Sequence, residues 1–254
     1  MSEAPSLEAE LDRARELSVS DLADAIESIG FECTRCGACC KGHADEDDET
    51  EPHTATVFPD EIRRIQEAAA EADDGGDETD DVDDETDDVD DETDDVDAYD
   101  WRDVARPMPY GLPEGDGSAD GETFEWALQT DACGDCAFYE EGETEGACRI
   151  HSDRPLICRT YPFSVALGGT SQPMGEAVDE EGMVRAHECE GLGRDISRAD
   201  AEELAAALKE RAVRELEEAI GVRDNYAPVD ADGVVVYDSE GPKRADGTAI
   251  DGGE

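Results

Sequence analysis

Apolar residues near the start of the chain recur every three or four positions, which is the spacing of one helix face. Residues 6–30 are therefore predicted to form two helices. We expect Ser6 to cap the first helix and Ser20 the second, and Gly30 to end the pair. The apolar positions of the two faces are Leu7, Leu11, Ala14, Leu17, Leu22, Ala25, Ile26 and Ile29.

The middle of the chain predicts shorter elements. Residues 54–58 read as a strand, and Pro59 begins a helix that fades within residues 71–76 because its apolar spacing stops there. Residues 123–128 alternate as one strand, and residues 165–169 predict the start of a Gly-rich hairpin.

The strongest helical pattern is near the C-terminus. It runs over residues 197–220, with a capping box from Ser197 to Asp200 and with Gly221 as its end. A strand is expected at 234–237, and the last fifteen residues are expected to be frayed. Helices and short strands together predict a small, irregular α+β domain with flanking helices.

An acidic repeat interrupts this pattern. Residues 77–97 repeat Asp-Glu-Thr-Asp-Asp-Val-Asp three times, and one Val per seven residues cannot form a coiled-coil seam. We therefore expect a disordered insertion. The predicted organisation has N-terminal helices and the first cysteine motif in 1–70 and the insertion in 71–98. A second cysteine group and a helix occupy 99–228, in the same domain as 30–70, and a tail occupies 229–254.

Composition limits the size of the core. Only 5% of the 254 residues are aromatic and 36% are charged, so apolar material for a large interior is scarce. The formal net charge is −52, and outside residues 71–100 there remain 53 acidic against 20 basic residues. Acidity is thus a property of the whole chain and not only of the insertion.

The kind of charge also matters. Lysine occurs only at Lys41, Lys209 and Lys243, and an acidic, lysine-poor surface is typical of proteins from salt-loving microbes. Such a surface repels nucleic acid and anionic membranes, so neither is an expected partner. The chain has no apolar run long enough to cross a bilayer and no signal-peptide pattern at its start, which favours a cytoplasmic location.

Nine cysteines carry the candidate chemistry. Cys33, Cys36, Cys39 and Cys40 fall within eight residues, and the Cys-x-x-Cys spacing lets two sulfurs face one ion. In a reducing compartment this favours metal over disulfides. Because adjacent side chains generally diverge, we expect Cys39 and Cys40 to face different ions, or one of them to approach a cluster from another side.

A second cysteine group follows the insertion. Ligands from Cys136, Cys148, Cys158 and Cys189 would complete the set and hold the two halves together. Basic side chains beside the cysteines are expected to neutralise metal-bound sulfur, with surface ion pairs as the alternative; these residues are Arg35, Lys41, Arg149, Arg154 and Arg159. Three histidines near cysteines leave mixed Cys/His ligation open: His43, His151 and His187.

These motifs resemble the YkgJ-like cysteine-cluster family, which has a CxxCxxCC signature and is described as zinc- or iron-chelating; the chain looks like a haloarchaeal-type member. The matching segments are residues 33–40, 136–139, 148–155, 158–163 and 189–191. The resemblance implies that eight cysteines are chelators: Cys33, Cys36, Cys39, Cys40, Cys136, Cys148, Cys158 and Cys189. It leaves Cys133 as an extra cysteine and places His151 where the family often has an aromatic residue.

Three functions follow from these observations. The first is an iron–sulfur cluster protein with a redox or metal-handling role and a protein redox partner. The second is a structural zinc module that only mediates interactions. The third is an enzyme that uses the cluster, although the chain has no Gly-rich phosphate loop, nucleophile elbow or His-Glu-x-x-His motif.

Overall fold

The computed structural model describes residues 5–44, 50–74, 99–110, 112, 120–142, 145–167, 177–179 and 182–250. The acidic repeat at 77–97 lies outside these residues. The helices within them are α1 (Leu7–Glu16), α2 (Val19–Ile29), α3 (Pro59–Asp74), α4 (Trp101–Val104), α5 (Leu156–Thr160) and α6 (Arg198–Asn225). The mixture of helices and small sheets confirms the α+β class.

The described strands are all short. They are β1 (His43–Ala44), β2 (Thr50–Glu51), β3 (Thr56–Val57), β4 (Ala105–Pro107), β5 (Gly121–Thr123), β6 (Trp126–Leu128), β7 (Tyr139–Glu140), β8 (Ala147–Cys148), β9 (Phe163–Val165), β10 (Ala177–Asp179), β11 (Val184–His187), β12 (Val234–Asp238) and β13 (Gly241–Arg244). They form sheets with the spatial orders β1-β2, β3-β6-β4, β7-β8, β10-β11-β9 and β13-β12-β5. Only the β12-β5 pair is parallel among the described pairs.

The first hydrophobic core joins the two ends of the chain. Helices α1 and α2 pack along α6, and strands β9 and β11 cover the same cluster. Phe31 meets Phe163 edge to face at 5.6 Å, so the start of the first cysteine loop is itself anchored in this core. Removal of this apolar surface from water is the main favourable term for the arrangement.

The second core lies on the other side of the cysteines. It is built from α3, α4, β3, β4 and β6 together with β12, and Trp101 packs edge to face on Trp126 at 5.1 Å. The indole N–H of Trp126 donates to Asp238 Oδ2 at 2.9 Å, and Lys243 Nζ donates to the same oxygen at 2.6 Å. A buried charge is thereby paired rather than left uncompensated.

Several boundaries differ from the sequence-based expectations. The second helix is capped by Ser18, whose Oγ accepts from Asp21 N at 3.2 Å, and not by Ser20. Both serines could cap, but Leu17 already leaves the helical conformation and puts Ser18 in an extended one. Gly30 ends this helix as expected.

Gly221 does not end the last helix. α6 continues to Asn225, and a Cβ at Gly221 would come 2.6 Å from Ser239 Cβ. The glycine therefore allows the turn between β12 and β13 to approach α6. Its role is close packing rather than termination.

The predicted strand 123–128 is two strands in different sheets. β5 pairs with β12, β6 pairs with β3 and β4, and the chain changes sheet at Phe124 and Glu125. The predicted hairpin begins earlier than expected, because β9 pairs with β11; residues 168 and 169 lie outside the described part.

The last fifteen residues are not frayed over their described length. Gly241–Arg244 forms β13 against β12, and Lys243 is buried. Polar character misled the prediction, since the charge of Lys243 is compensated inside the core. Within the described residues, no helix combines the length and apolar character needed to span a bilayer.

Candidate metal centre

The loop that follows α2 is tied to the segment around Cys189. Gly193 N donates to Gly30 O at 3.0 Å, and Glu32 N donates to Gly191 O at 3.1 Å. The loop leaves the helix through Gly30, whose φ of +78° favours glycine. These backbone bonds place the first and last cysteine motifs side by side.

A tight turn then brings two adjacent cysteines together. Gly37 adopts a left-handed conformation with φ of +77° and leads into a short 3-10 helix, Ala38–Cys40. Within it, Cys39 Sγ and Cys40 Sγ lie 3.9 Å apart. The expectation that these neighbouring side chains diverge is wrong, because the 3-10 turn folds them towards each other.

The other face of the loop is held by the second cysteine group. Cys136 N donates to Cys40 O at 2.8 Å, and Gly146 N donates to Arg35 O at 2.9 Å. The ring of Tyr139 lies directly against Gly37 and Gly146, and a Cβ at either glycine would overlap it. The absence of side chains at these two glycines lets the loop and the β7-β8 hairpin approach.

Short elements place the remaining thiols. Cys148 lies in β8 opposite Tyr139, and Cys158 lies in α5. The start of α5 is fixed by the buried carboxylate of Glu61, which accepts from Leu156 N at 2.9 Å. α3 thereby positions the helix that carries Cys158.

The thiols form one electrostatic neighbourhood. Burial raises the pKa of Cys136 to about 11 and raises the pKa values of Cys148, Cys158 and Cys189, and Cys39 adds to the increase in all four. Contact with the Cys40 thiol raises the pKa of Cys39 itself. Cys33 and Cys36 add to the increase in the pKa of Cys189. All eight predicted chelators are connected in this way.

The thiols lie near one another but are not arranged to coordinate an ion. In the described part of the chain, no three side chains among His, Cys, Asp and Glu are close enough to hold an ion as they stand. The Cys39–Cys40 pair is the exception in spacing: 3.9 Å is close to the S–S distance of about 3.8 Å in a tetrahedral centre with metal–sulfur bonds of about 2.3 Å. The donor chemistry fits zinc or iron, and the other sulfurs would have to move inward.

The basic residues serve several purposes. Arg154 acts against the burial-raised pKa values of Cys148 and Cys158, so its charge reaches the thiols. Arg149 does the same for Cys136 while approaching Glu140 at 3.6 Å. Lys41 pairs with Glu141 at 2.7 Å, as the surface-pair alternative expects.

Arg35 and Arg159 occupy other positions. Arg35 is exposed in the loop and has a positive φ of 54°, which is uncommon for a residue other than glycine. Arg159 lines a cavity beside Cys33. Neither guanidinium forms an ion pair within 4.0 Å with any residue that the structure describes.

The extra cysteine and the histidines are also placed. Cys133 is exposed in a turn, where its backbone N–H donates to Asp131 Oδ1 at 2.8 Å. His187 is buried and bonds Ser164 Oγ through Nε2 at 2.9 Å, whereas His43 and His151 are exposed.

Tyr161 is a neighbour of the thiols that sequence reasoning did not assign. Burial raises its pKa to about 12, and nearby Cys189, Cys39 and Cys36 add to the increase. Its hydroxyl donates to Glu188 O, directly before Cys189. Tyr161 lies three residues after Cys158, within the motif 158–163, and this position is the sequence feature that could have indicated it.

Cysteines from separate segments, gathered on one side by backbone hydrogen bonds and on the other by short hairpins, define a cysteine-rich α+β metal-binding domain. The chain belongs to the CxxCxxCC family, described as "Putative zinc- or iron-chelating domain", whose model matches residues 32–190. This membership supports a cysteine-ligated metal-binding role with zinc or iron as the metal. Comparisons with curated proteins and with solved structures gave no match.

Proposed function

We propose that the protein is an iron–sulfur cluster protein with eight cysteine ligands and that it serves a redox or metal-handling role. The ligands would be Cys33, Cys36, Cys39, Cys40, Cys136, Cys148, Cys158 and Cys189. The observation that carries the proposal is the joining of the cysteine segments by backbone hydrogen bonds: Cys136 N donates to Cys40 O at 2.8 Å, and Glu32 N donates to Gly191 O at 3.1 Å. Sulfur-only donors beside guanidinium groups suit clusters, whose potentials depend on nearby charge.

The exposure of several cysteines supports a role in redox chemistry or metal handling over a purely structural one. Cys33, Cys36 and Cys39 are exposed, whereas Cys136 is buried. Structural zinc sites are generally closed, and an open edge gives a partner or an electron access to the metal. The same edge is where a protein redox partner would approach.

Zinc is the second candidate, and the 3.9 Å separation of Cys39 Sγ and Cys40 Sγ favours it. That spacing suits two thiolates on one tetrahedral ion, and a zinc-stabilised interaction module needs no further chemistry. Metal sites are rarely preformed without their ion. With either zinc or an iron–sulfur cluster, we therefore expect the remaining thiols to move closer together when the metal binds.

The proposal also covers the domain organisation of the chain and its cellular location. Residues 30–70 and 99–228 would form one metal-binding domain around the acidic insertion, since both hydrophobic cores draw on segments from each side of it. A cytoplasmic, halophilic, YkgJ-like protein of haloarchaeal type would account for the net charge of −52 and for reduced thiols.

Anaerobic purification in high salt, followed by a visible spectrum and by iron, zinc and acid-labile sulfide analysis, tests the proposal. A broad band near about 400 nm with iron and sulfide supports the iron–sulfur centre. A colourless protein with one or two zinc ions supports the zinc module. A protein that holds neither metal after purification, and folds equally well without it, overturns both.

A further inference from the structure

A cavity of about 440 Å³ lies between the first cysteine loop, the segment around α5 and the start of α6. Its volume is within the range of small-molecule sites in proteins. Cys33 lines the cavity, so the cavity adjoins the exposed cysteines of the candidate metal centre.

The walls of the cavity carry opposite charges. Arg154 and Arg159 line it together with four carboxylates, those of Glu32, Asp195, Asp200 and Glu203. Asp200 is engaged by Ser197, whose hydroxyl donates to it at 2.7 Å. Arg159, Asp195 and Glu203 make no ion pair within 4.0 Å with any described residue, so both signs of charge line the cavity without a direct contact between these groups.

Acidic residues greatly outnumber basic ones in the chain, and several arginines near its helices are paired with them: Arg198 contacts Asp24, Glu27 and Glu202, and Arg214 contacts Asp60. Within the described residues, Arg159 and the carboxylates of Asp195 and Glu203 line the same cavity without an ion pair, which leaves both signs of charge available to a ligand. Apolar side chains complete the lining, including Phe31, Ile196 and Leu204.

We infer that this cavity binds a small zwitterion of the α-amino acid class. The carboxylate would pair with the guanidinium groups, the ammonium with Glu203 and Asp195, and an aliphatic side chain would lie on the apolar lining. A ligand with one charge would be attracted by the groups of opposite charge and repelled by the others. The site goes beyond the proposed metal function and does not depend on which metal is bound.

Matched probes separate the two charges. Binding of L-norleucine, hexanoate and pentylamine is measured by calorimetry on the full-length, metal-loaded protein. We expect norleucine to bind at least about tenfold more tightly than either single-charge probe, which corresponds to about 1.4 kcal/mol. If hexanoate or pentylamine binds as tightly as norleucine, or if norleucine does not bind at all, the inference is overturned.

Paired variants locate the ammonium partner. Glu203→Gln removes a cavity carboxylate and is expected to weaken norleucine binding at least about fivefold. Glu202→Gln makes the same change one residue away, where Glu202 faces Arg198 outside the cavity lining, and is expected to leave binding unchanged. Equal effects of the two variants would contradict the inference. Metal content, measured on the same samples, reports separately on the proposed metal function.

Discussion

Cys39 Sγ and Cys40 Sγ lie 3.9 Å apart, although adjacent residues carry them. The 3-10 turn after Gly37 makes this possible, and the spacing is that of two thiolates on one tetrahedral ion. The two thiols are therefore spaced so that they could share one ion without moving apart or together.

Cys40→Ser should remove most of the bound metal. Loss of a supporting partner already lowers metal affinity by about 10–100-fold, and loss of a ligand should cost more. The measurement is metal per chain by elemental analysis after passage over a chelating resin. Cys133→Ser is the matched control, since Cys133 lies exposed in a separate turn; a similar loss in both variants would exclude a special role for the pair.

Gly37→Ala should disrupt the cysteine loop. The added Cβ would overlap the ring of Tyr139, and a non-glycine residue at φ of +77° costs about 1–2 kcal/mol in addition. Gly193→Ala controls for the backbone cost, because Gly193 has φ of +76° with nothing within 4 Å of the added atom. We expect lower metal content only in Gly37→Ala; equal metal content in the two variants would contradict this reading.

Glu61→Ala should destabilise the fold by about 2–4 kcal/mol, because two backbone N–H groups lose their acceptor. Those groups are Phe58 N, at 3.1 Å from the carboxylate, and Leu156 N, at 2.9 Å. Chemical denaturation of metal-loaded protein measures the effect. Glu67→Ala, on an exposed position of the same helix, should change stability by no more than about 0.5 kcal/mol. Comparable changes in the two variants would show that the hydrogen bonds accepted by the Glu61 carboxylate do not stabilise the fold.

His53 should make the fold less stable in mild acid. Burial, with a contribution from Arg106 and His43 and opposed by Asp135, lowers its pKa to about 4 from the usual 6.5. The neutral imidazole is thus favoured in the folded state, so its contribution is complete above pH 6.5 and is lost as the pH falls towards 4. Allowing for partial exposure, we expect about 2 kcal/mol.

The measurement compares the free energy of unfolding of the wild type and of His53→Gln between pH 7 and pH 4. The wild type should lose more stability over this range than the variant does, because glutamine does not titrate. Parallel curves would show that His53 titrates normally in the folded protein.

The amphipathic helices were accessible from the sequence because each has an apolar stripe on one side. The helix boundaries at Ser6, Gly30 and Ser197 agree with the sequence because capping depends on neighbouring residues. The predictions for Gly221 and for residues 123–128 were wrong because their structure depends on distant partners. Gly221 packs against Ser239, and residues 123–128 divide between two sheets. Local patterns contain no information about such partners.

The candidate site shows the same division. The Cys-x-x-Cys spacing predicts that Cys33, Cys36 and Cys39 belong to one site, since backbone turns of this kind are local. The closeness of Cys39 to Cys40, the contact of Tyr161 with Glu188 and the cavity beside Cys33 depend on the folded arrangement of several segments. None of these could be read from one stretch of chain.

The first core has a consequence for synthesis. Helices α1 and α2 pack mainly on α6, which begins at Arg198, so a growing chain must lengthen by residues 30–197 before the early helices meet their partner. All eight candidate ligand cysteines lie before Arg198, so they leave the ribosome before the early helices can pack on α6. Capture of metal on the nascent chain can therefore precede completion of the first core.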